Sequence, residues 1–97
     1  MGKKKKENRI PLREEYRVDC PNSTAVNLVR LFVGEERGRP YAKVYFHKVE
    51  DEPLVLSESP PFDDDCSPII VKEKAVKWIR ENLDTEAKIT LEMKSGS

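Results

Sequence analysis

The amino-acid sequence predicts a small α+β domain with two layers: a mainly antiparallel sheet and one helix packed on it. The chain has 97 residues, a length that suits a single hydrophobic core. Apolar and polar residues alternate in several segments, which is typical of strands with one buried face. One later segment repeats its apolar residues every three or four positions, as an amphipathic helix does.

The chain begins with a basic segment. It contains the consecutive lysines Lys3, Lys4, Lys5 and Lys6. Adjacent like charges repel one another, so residues 1–13 are expected to form a disordered tail that can contact phosphates. Residues 95–97 are expected to be a disordered end, which leaves residues 14–94 as the folded domain.

The first predicted strand covers residues 14–20, where Tyr16, Val18 and Cys20 alternate with charged residues. Residues 25–33 fit both a strand and a helix. A strand there gives a three-stranded meander with the following segment, whereas a helix gives a βαββαβ, ferredoxin-like sandwich. The strand is favoured, because three valines and a phenylalanine in nine residues lower the helix propensity.

A long acidic loop is predicted over residues 50–67, with a short strand at Pro53 to Leu56, because this segment combines prolines with many acids and has no lysine or arginine. Ser67 and Pro68 then resemble a helix N-cap and first helical residue. The spacing from Val71 to Leu83 predicts one C-terminal helix. The alternation of Ala87, Ile89, Leu91 and Met93 with polar residues predicts a final strand.

The stretch RPYAKVYFHK, residues 39–48, carries the main functional signal. In a strand its small and apolar residues Ala42, Val44 and Phe46 point to the core. The opposite face then combines aromatic and basic side chains, a combination that stacks on unpaired bases while it holds phosphates. The predicted nucleic-acid contacts are Lys3, Lys4, Lys5, Lys6, Arg39, Tyr41, Lys43, Tyr45 and His47.

Over eight residues this stretch resembles the RNA-binding octapeptide of RNA recognition motifs. The matching residues are Arg39, Tyr41, Ala42, Val44 and Phe46. Pro40 stands where the octapeptide has a glycine, and Lys43 stands where it has a stacking aromatic. The resemblance therefore implies RNA contact by this strand but does not assign the chain to that family.

The expected function is a non-enzymatic accessory module that binds RNA or another single-stranded nucleic acid. The alternative is a protein-interaction adaptor that docks a partner through a sheet edge or the acidic, proline-rich segment. Its predicted contacts are Asp63, Asp64, Asp65 and Trp78. Because 18 basic and 18 acidic residues cancel, polyanion binding must depend on local charge.

No catalytic residue, metal site, cofactor or small-molecule substrate is predicted. Cys20, Cys66 and the single histidine supply too few ligands for a structural zinc site. The sequence also lacks an apolar run that could span a membrane and the apolar segment of a secretory signal at its start. An intracellular location, in the nucleus or the cytoplasm, is expected.

Overall fold

Strands dominate the fold because each segment of alternating polarity places its apolar side chains on one side of the backbone. The computed structural model describes residues 11–50, 53–64 and 67–96. Their elements are β1 (Arg13–Asp19), β2 (Val26–Glu36), β3 (Arg39–Lys48), β4 (Leu56–Glu58), β5 (Phe62–Asp63), α1 (Pro68–Asn82) and β6 (Lys88–Ser95). All strand pairs are antiparallel in one six-stranded sheet of order β4-β3-β2-β1-β6, with β5 also paired to β3. The predicted α+β fold is confirmed.

The segment that fits both a strand and a helix is the central strand β2. It pairs with β1 on one side and with β3 on the other, and its residues Val29, Leu31 and Val33 are buried. The alternative βαββαβ sandwich requires a helix between β1 and β2, so that alternative is wrong. Near its start β2 is irregular: Leu28 has a φ of 54°, and the register against β3 shifts beside it, as in a β-bulge.

The acidic segment contains more strand than its composition predicts. Its short strand is Leu56–Glu58 rather than Pro53 to Leu56, and a second strand follows at Phe62–Asp63. Both pair with the outer edge of β3. Between them the buried Ser59 donates its N–H to the carbonyl of Val44 (2.8 Å), and its hydroxyl accepts the N–H of Val44 (2.9 Å). This one residue therefore continues the hydrogen bonding of the β3 edge.

The helix α1 begins where the sequence predicts. The hydroxyl of Ser67 accepts the N–H of Ile70 (3.3 Å), and Pro68 is the first helical residue. At the other end the N–H groups of Leu83 and Asp84 donate to the carbonyl of Ile79 at 2.8 and 3.1 Å. Both bonds use the carbonyl of Ile79, which is one of the four carbonyl groups that lack an intrahelical partner at the C-terminus of a helix.

The core lies between α1 and one side of the sheet. Val71, Ala75 and Ile79 recur every four residues along the helix and are 0% exposed. They join the buried residues of β1, β2 and β3 in one cluster. We call the opposite side of the sheet, which carries no described helix, the open face. Its side chains on β1, β2 and β3 include Glu15, Arg17, Arg30, Phe32, Tyr41, Lys43, Tyr45 and His47.

The final strand β6 is confirmed, but its predicted alternation is not regular. Leu91 lies opposite Tyr16, on the helix side, whereas Met93 lies opposite Glu15 because the register shifts between those two positions. Met93 therefore lies on the side of Glu15 and not on the helix side with Leu91, where the sequence predicts it. Across the described part of the chain, no helix has the length and apolarity that crossing a bilayer requires.

Candidate functional site

The hairpin β2–β3 sets the pattern of the open face. In its register Arg30 lies opposite Tyr45, and Phe32 lies opposite Lys43. Directly opposed residues of an antiparallel pair are close neighbours on the same face. Basic and aromatic side chains therefore alternate both along the strands and across them. Ala42 and Val44 are 0% exposed on the other side, whereas the side chains of Tyr41, Lys43, Tyr45 and His47 on the open face are half-buried.

Phe32 forms the centre of an aromatic cluster on this face. Its ring meets that of Tyr41 edge to face, with centroids 6.0 Å apart and planes at 80°. The guanidinium carbon of Arg13 lies 5.8 Å from the Phe32 centroid. Gly34 permits this position, because a Cβ at Gly34 would lie only 2.8 Å from Cζ of Phe32. The glycine thus lets the ring lie over its own strand.

Sequence reasoning missed Phe32, Arg13 and Arg30 as members of this site. Phe32 was counted with the apolar residues of its segment. Its neighbours Leu31 and Val33 are the buried ones, so a period of two places Phe32 on the same face as Tyr41 and Lys43. That period was the signal that could have identified it. The positions of Arg13 and Arg30 beside it follow from strand order and register.

The basic side chains of the open face are paired with carboxylates. Nζ of Lys43 lies 2.6 Å from Glu58, and the guanidinium of Arg13 lies 2.7 Å from Glu15. Arg17 and Arg30 both bond to Glu92 of β6, Arg17 at 3.1 Å. These pairs orient the cations but reduce the positive potential of the face, so a polyanion must compete with the carboxylates.

The ion pairs shift the pKa values of their members. The hydrogen bond from Arg30, with the charges of Arg30 and Arg17, lowers the pKa of Glu92. The hydrogen bond to Glu58 raises the pKa of Lys43. Burial, followed by the neighbouring Tyr45, raises the pKa of Tyr41. At neutral pH Glu92 and Lys43 are therefore charged, and the Tyr41 hydroxyl stays protonated and can donate a hydrogen bond.

Between β1 and β3 the open face has a hollow of about 460 Å³. Its lining combines two rings, two guanidinium groups and one carboxylate: Phe32, Tyr45, Arg13, Arg30 and Glu15. This volume lies within the range of about 300 to 1,000 Å³ that is usual for small-ligand sites. Flat aromatic surfaces beside guanidinium groups can stack on a planar ring and hold an anionic group next to it.

The remaining predicted contacts lie apart from this hollow. Arg39 is exposed at the start of β3, and Nδ1 of His47 lies 2.8 Å from Oδ1 of Asn27 near its other end. Lys3, Lys4, Lys5 and Lys6 lie outside the described residues. The structure therefore brings Tyr41, Lys43 and Tyr45 of the predicted set together with Phe32, Arg13 and Arg30.

The predicted partner contacts that the structure describes take part in contacts within the chain. Asp63 lies in β5, and its backbone carbonyl accepts a hydrogen bond from Lys74 (3.0 Å). Asp64 accepts the N–H of Ser67 (3.1 Å), next to the helix start. Trp78 is half-buried on α1, where its ring packs on Phe46 and Phe62, with centroids 6.0 and 6.5 Å away. Asp65 lies outside the described residues.

The cysteines and acids form no metal centre among the residues that the structure describes, where no group of three or more metal-ligating side chains is close together. Cys20 is a half-buried free thiol, and burial raises its pKa. Cys66 lies outside the described residues. At neutral pH a thiol with a raised pKa is a weak nucleophile.

Comparison with protein-family models, with curated proteins and with solved structures finds no match to this chain. The case for a function therefore rests on the chemistry of the open face.

Proposed function

We propose that the open face binds single-stranded nucleic acid, RNA or DNA, without catalysing a reaction. The observation that carries the proposal is the hollow in which Phe32 and Tyr45 lie beside the guanidinium groups of Arg13 and Arg30. Stacking of a base on Phe32 or Tyr45 would supply affinity, and the arginines would hold the adjacent phosphates. Lys43 and the lysines of the tail would add phosphate contacts.

The carboxylates of the open face limit the affinity for nucleic acid. Glu15, Glu58 and Glu92 hold the cations in place before the ligand arrives, and each must give up part of its pairing when a phosphate binds. Affinity is then moderate and depends strongly on stacking. For single strands the logarithm of affinity falls with the logarithm of salt by about 0.7 per phosphate contact, so contacts from Arg13, Arg30 and Lys43 give a slope near −2.

The test is a fluorescence anisotropy titration of the full chain with a labelled 15-nucleotide single strand, in the RNA and DNA forms. Base stacking is worth about 1 to 3 kcal/mol, so Phe32→Ala and Tyr45→Ala should each raise the Kd about 5- to 150-fold. Ile69→Ala is the matched control, since Ile69 is a large apolar residue that is 67% exposed on the helix layer. It should leave the Kd unchanged.

Charge is tested in the same assay. Lys43→Ala should weaken binding and make its salt dependence less steep. Lys77→Ala removes an equal charge from an exposed position on the helix and should change neither the affinity nor the salt dependence. Alanine at all four tail lysines separates the contribution of the tail from that of the face. Absence of binding at low salt, or equal affinities for wild type, Phe32→Ala and Tyr45→Ala, would end the proposal.

A role as a protein-binding adaptor is the second candidate, and one observation favours it. Leu54, Val55 and Leu56 are consecutive apolar residues that are 62%, 55% and 52% exposed in the acidic segment. Exposed apolar groups in a polar surround are typical of protein interaction sites. A pull-down should then lose its partner on replacement of Asp63, Asp64 and Asp65 by asparagine but not on nuclease treatment. If the asparagine variant still binds the partner, the three carboxylates have no part in this role.

A further inference from the structure

We propose that the outer edge of β6 pairs with β6 of a second copy of this chain, so that two sheets become one. This inference does not depend on the proposed function. β6 is the last strand in the sheet order, and no described strand pairs with its outer edge. The other end of the sheet is different, because β4 and β5, which pair with β3 there, span only three and two residues.

An edge strand with lysines normally resists pairing with a foreign strand, because its charges would be left opposite apolar or like-charged residues. β6 carries Lys88 and Lys94 along its length. The sequence of β6 is nevertheless self-complementary. In an antiparallel pair with a two-fold axis at Thr90, each Lys88 lies opposite the Glu92 of the other copy.

The apolar residues fit the same register. A two-fold axis at Thr90 places each Ile89 opposite the Leu91 of the other copy. Leu91 is 48% exposed, and Ile89 is half-buried and packs against the core. Both lie on the helix side of β6, since their partners in β1 are Val18 and Tyr16. Pairing would therefore cover the exposed leucine and extend the core across the junction.

Neighbouring registers are less favourable. An axis at Leu91 requires pairing beyond the register shift, where Lys94 lies opposite Glu14 and no longer shares a face with Lys88. An axis at Glu92 places the two Glu92 carboxylates opposite each other. Like charges directly opposed in an antiparallel pair are destabilising. The register shift of β6 lies between Leu91 and Met93, so regular pairing can extend from Lys88 to about Glu92, a stretch centred on Thr90. The charge pattern and the shape of the edge thus select the same register.

A two-fold axis perpendicular to the sheet keeps both open faces on the same side of the joined sheet. In the dimer Lys88 of one copy approaches Glu92 of the other, which already binds Arg17 and Arg30 of its own chain. The cations of both copies would then meet at one cluster around the junction.

The mass of the full chain, measured by sedimentation without nucleic acid from about 10 μM to about 1 mM, tests this pairing. The mass should rise with concentration from 11.2 kDa toward twice that value. Lys88→Glu turns two cross-strand attractions into repulsions and should raise the dimer Kd about tenfold or more. Lys77→Glu makes the same charge change on the helix and should have no effect.

A cysteine pair tests the register. Thr90→Cys places two thiols opposite each other across the axis, within the Cα separation of about 4.4 to 6.8 Å that a disulfide requires. Oxidation should convert this variant to a disulfide-linked dimer. Thr85→Cys, also at an exposed threonine, should cross-link no more than the wild type, whose Cys20 and Cys66 set the background. A mass that stays at 11.2 kDa at the highest concentration, or equal cross-linking of both variants, overturns the proposal.

Discussion

Ile79 provides the sharpest test of how this fold is stabilised, because the same helix offers a second isoleucine in the opposite environment. Ile79 is 0% exposed between α1 and the sheet, and Ile69 is 67% exposed in the first turn. Replacement by alanine removes the same three carbon atoms at both positions. Helix propensity favours alanine by only a few tenths of a kcal/mol in either case, so a large difference between the two variants reports burial.

At Ile79 the three buried carbons are worth about 0.8 kcal/mol each, and the cavity that remains adds to this cost. Ile79→Ala should therefore lower the free energy of unfolding by about 3 to 4 kcal/mol, inside the range of 2 to 5 found for such core truncations. For a domain of this size 1 kcal/mol corresponds to about 4 to 8 °C, so Tm should fall by about 12 °C or more. Ile69→Ala should change the free energy by less than about 0.5 kcal/mol.

Urea unfolding followed by circular dichroism measures both variants against the wild type. A domain with about 5 to 15 kcal/mol of stability keeps Ile79→Ala folded in the absence of denaturant, so all three proteins give complete transitions. Equal losses at the two positions would show that α1 does not press Ile79 into the sheet. The layer arrangement on which the open face depends would then be incorrect.

Two further predictions concern polar groups that connect distant segments. Ser59→Ala leaves the N–H of Val44 without its 2.9 Å acceptor and should lower the free energy of unfolding in urea by about 1 to 3 kcal/mol. Ser57→Ala in the adjoining strand is the control and should lower it by less than about 0.5 kcal/mol. Similar losses of stability in the two variants would count against the role of Ser59. The hydrogen bond from the N–H of Glu86, with those from Asn22, lowers the pKa of Asp84. A carboxyl group whose pKa is lower in the folded state contributes stability that is complete above about pH 5 and is lost as the pH falls through its folded pKa. The stability difference between wild type and Asp84→Asn should therefore narrow on acidification, and a difference that stays constant with pH would refute this role.

Much of the fold follows from local rules that act over a few residues. Alternation of apolar and polar residues identified the strands of the meander and the outward direction of Tyr41 and Tyr45. Ser67 and Pro68 located the start of the helix, because a hydroxyl at the N-cap and a fixed φ at the first position favour a helix start where an amphipathic repeat follows. Residues 25–33 could not be assigned in this way, because a short apolar segment satisfies both the period of a strand and that of a helix.

The candidate site depends on contacts between residues that lie far apart in the sequence, which rules that act over a few residues cannot predict. Glu92 reaches Arg17 and Arg30, which lie 75 and 62 positions away in the sequence, and Asn22 binds Asp84 at a separation of 62. The position of Phe32 over Gly34 and beside Arg13 required both the register of β2 and its neighbour β1.

The sequence by itself determined the helix, most of the long strands and the side of β3 that faces water, because steric and hydrogen-bonding preferences of the backbone repeat within a few residues. The tertiary structure decided which cation meets which carboxylate, which ring covers the glycine, and that β6 forms an edge. Those outcomes depend on strand order, register and one irregular position in β6, and a shift of one residue would exchange the two faces of a strand.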